Sequence, residues 1–87
     1  MTEETLFEFP CQFPIKVMGK TGDEFELAVL EIFRRHVPDL ADDAIKQRPS
    51  SKGNYLSITV TFNATSKVQL DAIYMDLSAC EHVAMSL

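Results

Sequence analysis

The strongest constraint on the fold is a stretch of strict alternation at residues 55–62. Every second residue there is apolar, and the residues between are Tyr, Ser or Thr. The apolar set is Leu56, Ile58, Val60 and Phe62. A period of two places this set on one face of a β-strand and the hydroxyl-bearing set on the other. The stretch therefore predicts a central strand in a sheet that helices cover on its apolar side only.

The rest of the chain predicts three further strands and two helices. Alternation indicates strands at residues 13–18, 44–48 and 83–87, and helical spacing of apolar residues indicates helices at 23–36 and about 66–80. The segment 44–48 is short and charged and is followed by Pro49, which is typical of an edge strand. Thr21 or Asp23 is expected to cap the first helix, and Ser66 with Gln69 to form a capping box on the second.

The order strand, helix, strand, strand, helix, strand is that of the split βαβ, or ferredoxin-like, plan. We therefore predict an α+β fold with a four-stranded antiparallel sheet, strands one and three at its centre and both helices on one face. With 87 residues the chain suffices for one small core. We expect an N-terminal arm at residues 1–9 and a single domain at residues 10–87. The uncovered face would show Lys16, Met18, Lys46, Arg48, Tyr55, Ser57, Thr59 and Thr61.

Composition restricts the function classes. A formal net charge of -5 argues against nucleic acid as a general partner. No stretch is apolar enough to span a membrane and the first residues lack a secretory signal, so we expect a soluble cytoplasmic protein. Neither the two cysteines nor the two histidines stand at a metal-ligand or catalytic spacing. We predict no metal, no cofactor and no enzymatic activity.

Four short blocks carry a family resemblance. They are KVMG at residues 16–19, PSSKGNY at 49–55, SITV at 57–60 and NAT at 63–65. Together they resemble the YbeD family of small bacterial cytosolic proteins. The resemblance implies a ferredoxin-like fold similar to the ACT regulatory domains, which bind amino acids and control metabolic enzymes. No activity is established for that family, so the resemblance supplies no catalytic residues. A link to lipoate metabolism has been suggested for the family from gene context.

The loop before the central strand is a candidate anion- or ligand-binding site. It combines hydroxyls, backbone amides of a turn and cations, which together can hold a phosphate or carboxylate. The candidate residues are Arg48, Ser50, Ser51, Lys52, Gly53 and Asn54. The alternative is a plain hairpin turn in which Gly53 or Asn54 takes a positive φ. A Walker-type phosphate loop is excluded, because a strand and not a helix follows.

Two surfaces are candidates for contact with a partner. Lys16, Met18 and Tyr55 belong to the uncovered sheet face, whereas Leu27 and Leu30 lie off the apolar stripe of the first helix. RNA-recognition domains share this topology but stack bases on several outward aromatic residues, and only Tyr55 is outward here. ACT-like domains admit ligands at the turn after the first strand, usually against a second copy, so the resemblance also implies a possible homodimer.

The leading hypothesis is a regulatory or adaptor domain, ACT-like and without catalysis of its own, that binds a small metabolite or a protein partner. The alternative is an accessory protein of a metabolic pathway, lipoate metabolism being the one the resemblance suggests, whose anion site is the loop from Ser50 to Asn54.

Overall fold

The computed structural model describes residues 10–87, where the strands and helices follow the predicted order. The elements are β1 (Cys11–Lys20), α1 (Asp23–His36), β2 (Ile45–Pro49), β3 (Tyr55–Ala64), α2 (Lys67–Ala79) and β4 (Val83–Ser86). A short 3-10 turn at Asp42–Ala44 precedes β2. The predicted arm at residues 1–9 lies outside the described residues.

The strands form one antiparallel sheet in the order β2-β3-β1-β4. The central pair, β1 and β3, is in register over ten residue pairs, with Ile15 opposite Val60 and Val17 opposite Ile58. Both helices pack on one side of this sheet, against the core that these residues form. The α+β, ferredoxin-like architecture predicted from the order of elements is confirmed.

The apolar side of β3 is the centre of the core, as its alternation predicts. Its four apolar residues from Leu56 to Phe62 are between 0% and 6% exposed. From the helices, Phe33 of α1 and Ile73 of α2 are fully buried against them. The ring of Phe33 meets that of Phe62 edge-on, with centroids 5.8 Å apart, an arrangement that aromatic quadrupoles favour.

The other side of the sheet faces away from both helices, and we call it the open face. Its residues alternate along the strands with those of the core. They are Gln12, Pro14, Lys16, Met18 and Lys20 of β1, Lys46 and Arg48 of β2, Tyr55, Ser57, Thr59, Thr61 and Asn63 of β3, and Met85 of β4. The chain continues past β4, and Leu87 joins this face through two backbone hydrogen bonds with Lys16, of 2.8 and 3.1 Å.

The predicted cap of α1 is wrong. Gly22 is the N-cap, and among residues 10–87 no side chain makes a capping hydrogen bond there. The Thr21 hydroxyl instead donates to the Gly53 carbonyl at 2.8 Å, and the Thr21 amide donates to the Asn54 carbonyl at 3.0 Å. The β1–α1 turn is therefore tied to the β2–β3 loop, and this contact takes the side chain that would otherwise cap the helix.

The cap of α2 is the predicted Ser66, whose hydroxyl accepts from the Gln69 amide at 3.1 Å. The return bond of the capping box differs from the prediction. Gln69 accepts through its side-chain oxygen from the Thr65 amide at 2.8 Å, one residue before the cap. Its side-chain nitrogen donates to the His36 carbonyl at 3.0 Å, so this residue also links α2 to the end of α1.

Candidate binding site on the open face of the sheet

The strand register arranges the open face in rows that cross the sheet. Arg48 of β2 pairs with Ser57 of β3. Ser57 pairs in turn with Met18 of β1, and Met18 with Met85 of β4. We call this set the Arg48 row. It begins with a cation at one edge of the sheet and ends with an apolar side chain at the other.

A second row runs beside the first and differs from it in having a cation at its β1 position as well. Lys46 of β2 pairs with Thr59 of β3, and Thr59 pairs with Lys16 of β1. Leu87 completes the row through its hydrogen bonds with Lys16. We call this set the Lys46 row. The two rows place three cations around the two hydroxyls of Ser57 and Thr59.

The open face is positively charged although the protein is acidic. It carries the four cations Lys16, Lys20, Lys46 and Arg48, and no Asp or Glu occurs in any strand of residues 10–87. None of the four forms an ion pair with another residue of this range. Because the whole chain has a formal net charge of -5, removing these four cations leaves -9 for the rest of the sequence. Such segregation creates a surface potential that attracts anionic groups.

Apolar side chains are exposed on the same face. Met85 is 52% and Leu87 64% exposed, at the β4 edge, and Tyr55 is 49% exposed beside Lys20 in a third row. Met18, between the charged and apolar edges, is half-buried. The face therefore offers an anionic partner both charge complementarity and apolar area.

A cavity of about 250 Å³ lies on this face next to the β2–β3 loop. It is lined by Lys16, Met18, Arg48, Pro49, Ser50, Tyr55, Leu56 and Ser57. Here Arg48 and Ser50, predicted as part of an anion-binding loop, meet Lys16, Met18 and Tyr55, predicted as partner-facing. Sequence reasoning treated these as two separate sites. The pairing register of the strands brings these residues together, and the alternation within a single strand does not show that register.

The rest of the loop is organised as a hairpin turn. The Ser50 amide donates to the Tyr55 carbonyl at 2.8 Å, and the Gly53 amide donates to the Ser50 carbonyl at 3.0 Å. The Ser50 hydroxyl accepts from the Tyr55 amide at 3.2 Å, and Gly53 has a φ of 75°. Two of the amides considered for an anion are therefore engaged in the turn. Ser51, Lys52 and Asn54 are exposed, and anion binding by the loop stays a prediction.

The predicted partner-facing set is divided between two surfaces. Leu27, 66% exposed, and Leu30, half-buried, lie on α1, across the sheet from Lys16, Met18 and Tyr55. The helix layer also exposes Val68 and Met75 of α2, at 78% and 70%. These residues and the open face cannot contact one partner element at the same time.

A polar cluster joins the two helices, and sequence reasoning missed it. The Nε2 of His36 lies 2.6 Å from Oδ2 of Asp76, and an Arg35 nitrogen lies 3.2 Å from the same oxygen. The hydrogen bond from His36 lowers the pKa of the Asp76 carboxyl below its usual value, and the charges of His36 and Arg35 add to this. The partners are 40 residues apart, so spacing along the sequence gives no signal for the contact.

Residues 10–87 contain no group of three or more His, Cys, Asp or Glu side chains placed to hold a metal ion. In the same part of the chain, neither helix has the length and apolar character that a membrane crossing needs.

The fold and this surface define a small ferredoxin-like α+β domain in which, within residues 10–87, one sheet face is uncovered. Solved structures that are similar to it include the following two. The solution structure of protein HP0495 from H. pylori superposes with a TM-score of 0.74 at 16% identity, over 99% of this chain and 90% of that chain. The uncharacterized protein TM1266 from Thermotoga maritima gives 0.66 at 13% identity, over 87% and 92% of the two chains. At these identities the likeness shows the fold alone.

The sequence places the chain in a family. Residues 4–87 match the family described as "Protein of unknown function (DUF493)". A UPF0250 protein of Chromobacterium violaceum is 47% identical over 98% of this chain and 96% of its own length. UPF0250 protein NE1487 of Nitrosomonas europaea is 47% identical over the full length of both. The chain belongs to this DUF493, or UPF0250, family, and the resemblance to YbeD-like proteins is confirmed.

Proposed function

We propose that this chain is an adaptor domain without catalysis of its own, which binds a negatively charged region of a protein partner through the open face. The observation that carries the proposal is the group of four cations on the open face, none of which forms an ion pair within residues 10–87, in an acidic protein. Opposite charges steer encounter and exclude wrong partners, and the exposed Met85 and Leu87 add apolar contact area. The proposal places the binding in the cytoplasm.

A protein fits this surface better than RNA does. Ferredoxin-like domains that bind single-stranded RNA stack bases on several outward aromatic residues. Here Tyr55 is the aromatic residue of the open face within residues 10–87, beside the exposed Met85 and Leu87 and the half-buried Met18.

The experiment compares two single charge reversals. The purified chain is immobilised and exposed to an extract of its source organism, and the retained proteins are identified by mass spectrometry. Arg48→Glu reverses a charge on the open face, whereas Arg34→Glu makes the same change on α1, where Arg34 forms only an exposed ion pair of 3.7 Å with Asp42. We expect proteins that the wild type and the Arg34 variant retain and that Arg48→Glu releases. Equal retention by all three chains would contradict the proposal.

A small anionic metabolite is the second candidate ligand, as for an ACT-like regulatory domain or for the accessory protein of a metabolic pathway. The cavity of about 250 Å³ supports this version, since Lys16, Arg48 and Ser50 line it together with the ring of Tyr55. A second cavity, of about 520 Å³, lies at the β1–α1 turn, where ACT-like domains bind ligands between two copies. A possible lipoate link rests on the family resemblance alone.

Two alanine variants separate the cavity from the loop as the metabolite site. Lys16→Ala removes a cation that lines the cavity, and Lys52→Ala removes the exposed cation of the loop. Small molecules that copurify are compared by native mass spectrometry. Binding in the cavity predicts loss with the first variant and retention with the second, whereas binding by the loop predicts the opposite. A ligand retained by both variants would exclude both sites.

A further inference from the structure

The open face is polarised from one edge of the sheet to the other. Its β2 positions are both cations, Lys46 and Arg48. At the opposite edge its residues are Met85 and Leu87, which are 52% and 64% exposed. Between these edges lie the hydroxyls of β3 and, on β1, Met18 with the cations Lys16 and Lys20. A ligand that matches this face therefore has one anionic flank and one apolar flank.

The dimensions of the face suit a helix. Adjacent strands lie about 4.8 Å apart, so the β2 and β4 edges are separated by roughly 14 Å. An α-helix with its side chains is about 10–12 Å across and presents distinct stripes along its length. A helix lying along the strands would hold one stripe over β2 and the neighbouring stripe over β4. A helix on this side would also complete a layered α/β/α arrangement.

We propose that the partner element is an acidic amphipathic helix, which lies along the strands with its carboxylates over Lys46 and Arg48 and its apolar side chains over Met85 and Leu87. This inference rests on the proposed function and adds the chemistry and the orientation of the partner. Two open faces from two copies would bring like charges together, which disfavours a face-to-face dimer. An extended strand would add to a sheet edge and not to its face.

The test uses a synthetic helical peptide of about four turns with glutamates along one stripe and leucines along the next. Its control has the same composition with the two residue types shuffled. Binding to the full ¹⁵N-labelled chain is followed by amide chemical shifts, and a nitroxide label is placed on either flank of the peptide. We expect the label on the acidic flank to broaden the amides of residues 45–48 more than those of Val83–Ser86, and the label on the apolar flank to do the reverse.

Matched variants test the two halves of the contact. We expect Arg48→Glu to weaken the peptide about tenfold, because a favourable charge pair becomes a repulsive one, whereas Arg34→Glu leaves the affinity unchanged. Met85→Ser should weaken it several-fold, whereas Met75→Ser, a change at the exposed methionine of α2, should not. All four positions are at the surface, and thermal unfolding confirms that the variants fold.

The outcomes distinguish this inference from the proposed function. Equal broadening of β2 and β4 by both labels, or equal binding of the shuffled peptide, would overturn the inference that the partner is a helix in this orientation. The proposed function would still stand if retention of extract proteins depends on Arg48. Tighter binding of a single-stranded oligonucleotide than of the peptide would overturn it in favour of nucleic acid. Self-association that Arg48→Glu abolishes would identify a second copy as the occupant. If the Arg48→Glu variant retains the same extract proteins as the wild type, the proposed function itself is contradicted.

Discussion

At the scale of single residues, Gly19 is the position where packing leaves least room. It lies where β1 changes register against β4. A Cβ built on Gly19 would come within 2.5 Å of the His82 carbonyl oxygen and 2.6 Å of the Phe25 ring. The sequence marks this glycine as the end of a strand, yet β1 continues through it to Lys20. A glycine is therefore needed at position 19 because other groups approach its Cα closely, and only the tertiary structure shows this.

We predict that Gly19→Ala lowers the free energy of unfolding by about 1–3 kcal/mol, because the added methyl overpacks a backbone contact that cannot yield easily. The neighbouring exposed change Lys20→Ala should stay within about 0.5 kcal/mol of the wild type. Urea unfolding followed by circular dichroism measures both. Equal stability of the two variants would contradict the close approach.

The second residue-scale feature is the contact between His36 and Asp76. Its partners come from the end of α1 and from α2, and their side chains are 20% and 34% exposed. Because the pKa of Asp76 is lower in the folded chain than its usual 3.8, its carboxylate stabilises the fold above that pH. This contribution is lost as the pH falls through the lowered pKa.

We predict that Asp76→Asn destabilises the chain at neutral pH and that the difference from wild type shrinks as the pH falls below 3.8. The control is Asp71→Asn, which removes an exposed i,i+4 pair with Lys67 of 3.1 Å and should have a small effect. Urea unfolding across this pH range measures both. A constant difference between Asp76→Asn and wild type would contradict the proposed charge contact.

At the scale of elements, periodicity predicts where each helix and strand lies but not what ends it. The bounds of α1 agree with the prediction, since charges and Pro38 define its end. In contrast, β1 extends two residues beyond the predicted segment at each end, because β3 supplies hydrogen-bond partners there. The pairing partners determine where a strand ends, and the local sequence does not identify those partners.

We predict that Ser66→Ala costs about 0.5–2 kcal/mol of stability, because the Gln69 amide at the start of α2 loses its acceptor. Ser66→Asp should retain most of the stability, since a carboxylate accepts the same hydrogen bond and suits the helix dipole. Thermal unfolding of the three chains tests this. The cap has no role if the alanine and aspartate variants unfold together.

At the scale of the whole molecule, the order of elements was sufficient to predict the architecture, because right-handed crossovers leave few ways to join these strands. The sequence also predicted that Lys16, Met18, Arg48 and Tyr55 share the open face, since alternation assigns each residue to a side. The sequence could not predict which of these residues lie in the same row across the sheet. The relative register of β2, β3 and β1 joins the loop and the strands into one site.

The sequence did not predict the polarity of the open face, for a related reason. Met85 lies in β4 and Leu87 directly follows it, and both reach this surface through pairing with β1, which has an irregularity at Met18 and Gly19. The helix residues Leu27, Val68 and Met75 are also exposed, and the sequence alone could not rank them against the open face.

The most direct measurement of the central claim is an amide spectrum of the ¹⁵N-labelled chain in buffer and in extract of its source organism. Our account predicts that signals of Lys16, Met18 and Ser57 shift or broaden in extract and that Arg48→Glu restores them. Changes confined to the surroundings of Leu27, Val68 and Met75 would contradict it and assign binding to the helix layer.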